Sequence, residues 1–185
     1  METNKTTVGR VKASDVKVSQ FHDAMGDLPI YAVPGKNTEG NWKPGEALEG
    51  LYVMSRRAYS DTADLRADCP FLKDKRFTTV HVLQSKGGER FQIWGTGTLN
   101  ATLSRLKPET PVAILYQGKA DKPFKEDQEP YHVFKFHSNG KPLNVDMSLR
   151  PRYQVVGLNK DELEELAAKA NFIVTNAPAV ERTVQ

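Results

Sequence analysis

The amino-acid sequence predicts a mainly β fold: a five-stranded Greek-key barrel with a short helix between strands three and four, an irregular N-terminal arm and a C-terminal helix. Three observations predict it. Runs rich in β-branched and aromatic residues recur between turn formers over residues 45–137, a single helical period interrupts them after Gly95, and two long polar loops follow the first and fourth runs. These boundaries divide the chain into an arm (residues 1–44), a barrel (45–138) and an extension (139–185) with a helix near 160–170.

In the arm, Gly26-Asp27, Pro34-Gly35-Lys36-Asn37 and Gly40-Asn41 are turn formers. Ser14 or Asp15 is placed to cap a short helix carrying Val18, Phe21 and Met25, and residues 28–33 read as a short strand. The first barrel strand spans 46–59, where Gly50 marks a bulge or a tight corner. Residues 60–75 form a long loop, and long ordered loops are more often functional than idle. Residues 77–83 and 90–94 make a hairpin across Lys86-Gly87-Gly88. Leu99, Leu103 and Leu106 fall at i, i+4 and i+7, a one-faced helix ended by Lys107-Pro108. Strands follow at 111–116 and 131–137, separated by a charged loop at 118–130. Asn159 caps the last helix, with Leu163 and Leu166 inward and Asp161 and Glu162 in the first turn, where the helix dipole favours them. This order is that of the OB fold, whose strands two and three, with loops one-to-two and four-to-five, make the usual binding surface.

Composition excludes several classes. No apolar run approaches the roughly 20 residues that cross a bilayer. The polar start, Met1 to Arg10, lacks the apolar stretch of a secretory signal, so a cytoplasmic protein without membrane attachment is expected. Cys69 stands alone and closes no intrachain disulfide, while His22, His81, His132 and His137 are scattered, so neither a metal site nor a cofactor is expected. No Gly-rich phosphate loop, His-Glu-x-x-His or Gly-x-Ser-x-Gly is present, Gly95-Thr96-Gly97 is only a fragment of a dinucleotide fingerprint, and the expectation is a protein that is not an enzyme. The net charge of +3 permits an anionic partner without demanding one, so the distribution of charge decides.

Alternation sorts the strands into faces. Val80 and Val82 suit the core of the second strand, leaving Thr79 and His81 outward; Phe91 and Ile93 suit the core of the third, leaving Gln92, Trp94 and Thr96 outward. Trp94 is then either a ring on the binding face, with Gly95 beside it allowing close approach, or a seal on the barrel end against Leu99 and Leu103. Arg56 and Arg57 leave the first strand, Lys73, Lys75 and Arg76 enter the second, and Lys86 and Arg90 flank the hairpin turn. Lys119 and Lys122 sit in the fourth loop with Phe124 and Tyr131, and Tyr52 and Tyr59 lie on the first strand. A charge run is usually a solvated face. Cations and rings together are what a groove for single-stranded nucleic acid needs, one set for phosphates and the other for bases.

Phe91-Gln-Ile-Trp-Gly95, the helix at 99–106, Val112-Ala-Ile-Leu-Tyr-Gln-Gly-Lys119 and Tyr131-His-Val-Phe-Lys-Phe136 together resemble the small OB-fold single-stranded DNA-binding proteins encoded by bacteriophages. The resemblance covers about half the chain. It implies sequence-tolerant binding of single-stranded DNA in replication, recombination or repair, in the host cytoplasm, with replication or recombination proteins as further partners and room for a homo-oligomer. Many such proteins end in an acidic tail that recruits partners, whereas this chain ends Glu181-Arg-Thr-Val-Gln185. The alternative is a protein-interaction module that uses the same barrel to grip a host or phage protein. Because residues 161, 162, 164 and 165 are acidic, a chain ending near Pro151 is expected to keep its DNA binding.

Overall fold

A computed structural model describes residues 28–35, 39–60, 72 and 75–175. The helix expected around Val18 and Phe21, together with Cys69 and Lys73, lies outside the described residues. The elements are β1 (Ile30–Tyr31), β2 (Ala47–Ser60), β3 (Arg76–Gln84), β4 (Arg90–Trp94), α1 (Gly97–Leu103), β5 (Pro111–Lys119), β6 (His132–Ser138), β7 (Lys141–Pro142), β8 (Arg152–Val156), α2 (Lys160–Lys169) and β9 (Ile173–Thr175). They form a mainly β fold with one nine-stranded sheet in the order β1-β4-β3-β2-β5-β6-β7, to which β8 attaches beside β2 and β9 beside β8. Among the described residues the sheet is not closed by strand pairing.

β2 is the hub because it is long enough to serve two partners in succession on one edge. Its first residues pair antiparallel with β5, Ala47↔Leu115 to Leu51↔Pro111, and its later ones pair parallel with β8, Arg56↔Gln154 to Ala58↔Val156. The other edge runs antiparallel to β3 from Leu51↔Gln84 to Ser60↔Arg76. The register slips between Tyr52 and Met54, so the bulge falls just after Gly50 rather than on it. Gly50 serves a close approach instead: a Cβ there would stand 2.8 Å from the carbonyl oxygen of Gln84.

The described residues of the arm, 28–35 and 39–44, contribute to the core. β1 pairs parallel with β4, Ile30↔Gln92 and Tyr31↔Ile93, and the Asn41 side chain holds this segment by accepting from the Ala32 amide and donating to the Ile30 carbonyl. Trp42 is 1% exposed; it packs against Tyr116 and Phe134 and donates its indole N–H to the Glu46 carbonyl. Around it gather Leu48, Leu83, Phe91, Ile93, Leu99, Leu103 and Ile114. α1 contributes Leu99 and Leu103 as its spacing predicts.

The extension also joins the sheet. Tyr59, Leu72, Tyr153, Leu166 and Phe172 form a second core cluster. α2 begins in a capping box in which Asn159 accepts from the Glu162 amide and Glu162 reaches back to the Asn159 amide. A chain ending near Pro151 therefore lacks the strand that pairs with Arg56 to Ala58. Asn139 and Gly140, at φ 51° and 76°, make the tight two-residue turn from β6 into β7. Among the described residues no helix is long and apolar enough to cross a membrane.

Candidate nucleic-acid interface

Strand register assigns the faces. Gln84 pairs with Arg90, Val82 with Gln92 and Met54, and Val80 with Trp94 and Arg56, so these residues share one face of β2–β3–β4. His81 pairs with Ile93 and Ser55, and Leu83 with Phe91 and Tyr52, on the opposite face, which borders the main core. This corrects β3: His81 points inward, and Val80 and Val82 share the face of Trp94. Every side chain from Thr78 to Leu83 is buried, and a strand buried on both faces carries no alternation to read. On β4 the sorting holds, but Gln92 is 1% exposed and is not on offer to a ligand.

His81 is fully buried and ties three elements together. Its Nε2 lies 2.9 Å from the Oδ1 of Asn100, which only accepts, so Nε2 carries the proton and Nδ1 accepts from the Ser55 hydroxyl at 2.7 Å. Ser55 in turn accepts from the Tyr52 hydroxyl at 2.8 Å. Burial drives the His81 pKa down to about 4 and that of Tyr52 up to about 12. The chain Tyr52–Ser55–His81–Asn100 joins two hydroxyls, an imidazole and a carboxamide; Tyr52, Ser55 and His81 are buried and Asn100 is half-buried, and the chain fixes α1 against β2 and β3. His81 and Tyr52, read as contacts, are buried residues whose polar atoms are joined through the Ser55 hydroxyl. Gly95 is explained by the same chain: a methyl there would collide with Asn100 Oδ1 and the Thr79 carbonyl, so its openness admits Asn100 rather than a ligand.

Several cations have partners inside the molecule. The Arg57 guanidinium lies 4.2 Å from the ring centre of Phe77, 4.1 Å from that of Tyr153 and 4.8 Å from that of Phe172, and donates to Thr79. Arg57, half-buried, is thus held among one ring from β3 and two from the extension. Lys75 pairs with Glu162 of α2 at 3.6 Å, and Arg76 donates to the Lys75 carbonyl. Arg56 donates to Gln154, its side chain reaching across to β8. Lys119 meets Glu129 at 3.7 Å on the open surface, where such a pair is worth little. Lys86, Arg90 and Lys122 are exposed.

Where β2 leaves β5 and has not yet met β8, a cleft of about 500 Å³ opens. Tyr52 and Arg90 line it, as do Leu51, Met54 and Gln84, and its far wall comes from Glu109, Arg152 and Gln154. Sequence reasoning missed that wall because the barrel was closed off at residue 138. The alternating Arg152-Tyr-Gln-Val-Val156 was the available signal.

In the loop between β5 and β6, Phe124 is 78% exposed and lies flat on Tyr131, ring centres 4.1 Å apart and planes 11° apart. Lys119, Lys122 and Lys125 stand on the same exposed loop. Trp94 is half-buried and, by register, shares the face of Val80 and Arg56 rather than that of His81 and Leu83. Among the described residues no group of three or more His, Cys, Asp or Glu is gathered to hold a metal ion. The chain matches no protein-family model, no curated protein and no solved structure.

Proposed function

We propose that the protein is a non-catalytic, sequence-tolerant binder of single-stranded DNA, with β2 to β6 acting as an OB-type barrel. The observation that carries this reading is the solvent-facing Phe124–Tyr131 stack on a lysine-bearing loop. A folded chain gains little by displaying a large apolar ring, whereas a base stacked on such a ring gains about 1–3 kcal/mol. Two further observations support it. The order β4-β3-β2-β5-β6, with a helix between β4 and β5, supports reading these strands as an OB-type barrel left partly open. Lys86, Arg90 and Lys122 leave positive charge in solvent for phosphates. In this reading the protein serves phage replication, recombination or repair.

The test is titration of a fluorescent oligo-dT at low and physiological salt, against duplex of equal length. Single strands should bind more tightly, and affinity should fall steeply with salt. Phe124→Ala should weaken binding by about 1–3 kcal/mol without moving the thermal midpoint. Equal affinity for duplex, or an unaltered Phe124→Ala protein, defeats the reading. A protein-interaction module is the second reading, favoured by Met147 and Leu149, which are 56% and 49% exposed. It requires a partner whose binding is nearly independent of salt.

A further inference from the structure

We propose that the cleft between β5 and β8 is a binding site for a nucleoside phosphate, distinct from the aromatic loop. The cleft, about 500 Å³, is within the roughly 300–1,000 Å³ range of small-ligand pockets. Its charge is lopsided: Arg90 and Arg152 face it against the single carboxylate of Glu109. Arg152 spends one N–H on the Leu106 carbonyl, whereas the Arg90 side chain makes no hydrogen bond or ion pair among the described residues. Cations crowded at a cavity are stabilised by an anion, and the guanidinium fork suits phosphate.

The rest of the lining argues for more than a bare anion. Leu51, 41% exposed, together with Met54 and Pro108 supplies an apolar surface on which a base can lie. The Gln84 carboxamide, without a hydrogen bond among the described residues, offers a donor and an acceptor to a base edge. Glu109 repels a simple anion but accepts from a sugar hydroxyl or a base amine. It sits at φ 69°, a conformation rare for a side-chain-bearing residue, and its amide is tied to the Tyr52 carbonyl. Such strain clusters at ligand sites. The ligand is either a free nucleotide or one nucleotide of a strand.

Calorimetric titration of the full chain with each deoxynucleoside 5′-monophosphate, with inorganic phosphate and with oligo-dT tests the inference. At least one mononucleotide should bind saturably at one site, and inorganic phosphate at least about tenfold more weakly. Arg90→Ala should weaken the mononucleotide at least about tenfold, the worth of one charge-assisted contact. If oligo-dT weakens by the same factor in Arg90→Ala, the cleft holds part of a strand; if oligo-dT is unaffected, it holds a free nucleotide. Absence of saturable mononucleotide binding, phosphate binding as tightly as nucleotides, or indifference to Arg90→Ala overturns the site. Failure of oligo-dT binding alone overturns only the strand reading.

Discussion

Acid should destabilise this protein through the buried imidazole of His81. In water a histidine protonates near pH 6.5, but the buried His81 stays neutral until about pH 4 because its enclosure penalises the cation. Between those values the unfolded chain binds a proton that the folded chain refuses. His81 therefore contributes stability that is fully present above about pH 6.5, falls by about 1.4 kcal/mol per pH unit through the window, and levels off near pH 4, a loss of roughly 3 kcal/mol. His132 is displaced in the same direction, chiefly by burial, so the effect is isolated by comparison with a variant that cannot titrate. His81→Gln keeps a polar group beside Ser55 and Asn100 and should cost about 1–3 kcal/mol at neutral pH through imperfect hydrogen bonds. Urea unfolding of both proteins at about pH 7 and about pH 5 gives the decisive difference: the parent should lose about 2 kcal/mol more than the variant. Parallel stability curves would refute the buried neutral imidazole.

Trp42→Ala should cost about 3–5 kcal/mol, because the ring is enclosed by Tyr116 and Phe134 and its removal leaves a cavity; a thermal midpoint within a degree or two of the parent would contradict that packing. Arg57→Ala should lower stability by about 2–4 kcal/mol while leaving the salt dependence of oligo-dT binding unchanged, since the charge faces Phe77, Tyr153 and Phe172 rather than a phosphate. A chain ending at Pro151 should melt well below the whole, having lost β8 from the edge of β2 and the Tyr153 and Phe172 rings beside Arg57; an equal midpoint would show that the extension only decorates the sheet.

What could be read from the sequence was local. The α1 face, the Asn159 cap with its Glu162 partner and the inward side of β4 all rest on residues a few positions apart, where spacing and chemistry speak together. What could not be read depended on a neighbour from elsewhere in the chain. β3 gave the wrong face because both of its faces are covered, so hydrophobicity no longer reports direction. Trp42 was passed over as part of an irregular arm because its partners, Tyr116 and Phe134, lie on β5 and β6.

The basic residues carry this lesson into the candidate site. From residue 71 to 91 the sequence holds Lys73, Lys75, Arg76, Lys86 and Arg90 against two acids, and a charge count treats them alike. Folding separates them by what the extension brings near. Glu162 takes Lys75, while Tyr153 and Phe172 take Arg57 and Gln154 takes Arg56, all three through segments that a barrel ending at residue 138 leaves out. Arg90, at the start of β4, makes no hydrogen bond or ion pair with those groups among the described residues, and Lys86 and Lys122 sit on turns and loops. The extension thus does two things with one strand: it neutralises or encloses the cations beside it, and through Arg152 it builds the far wall of the cleft that Arg90 faces. Arg90 and Arg152 are the two basic residues that line the cleft where β8 stops covering β2.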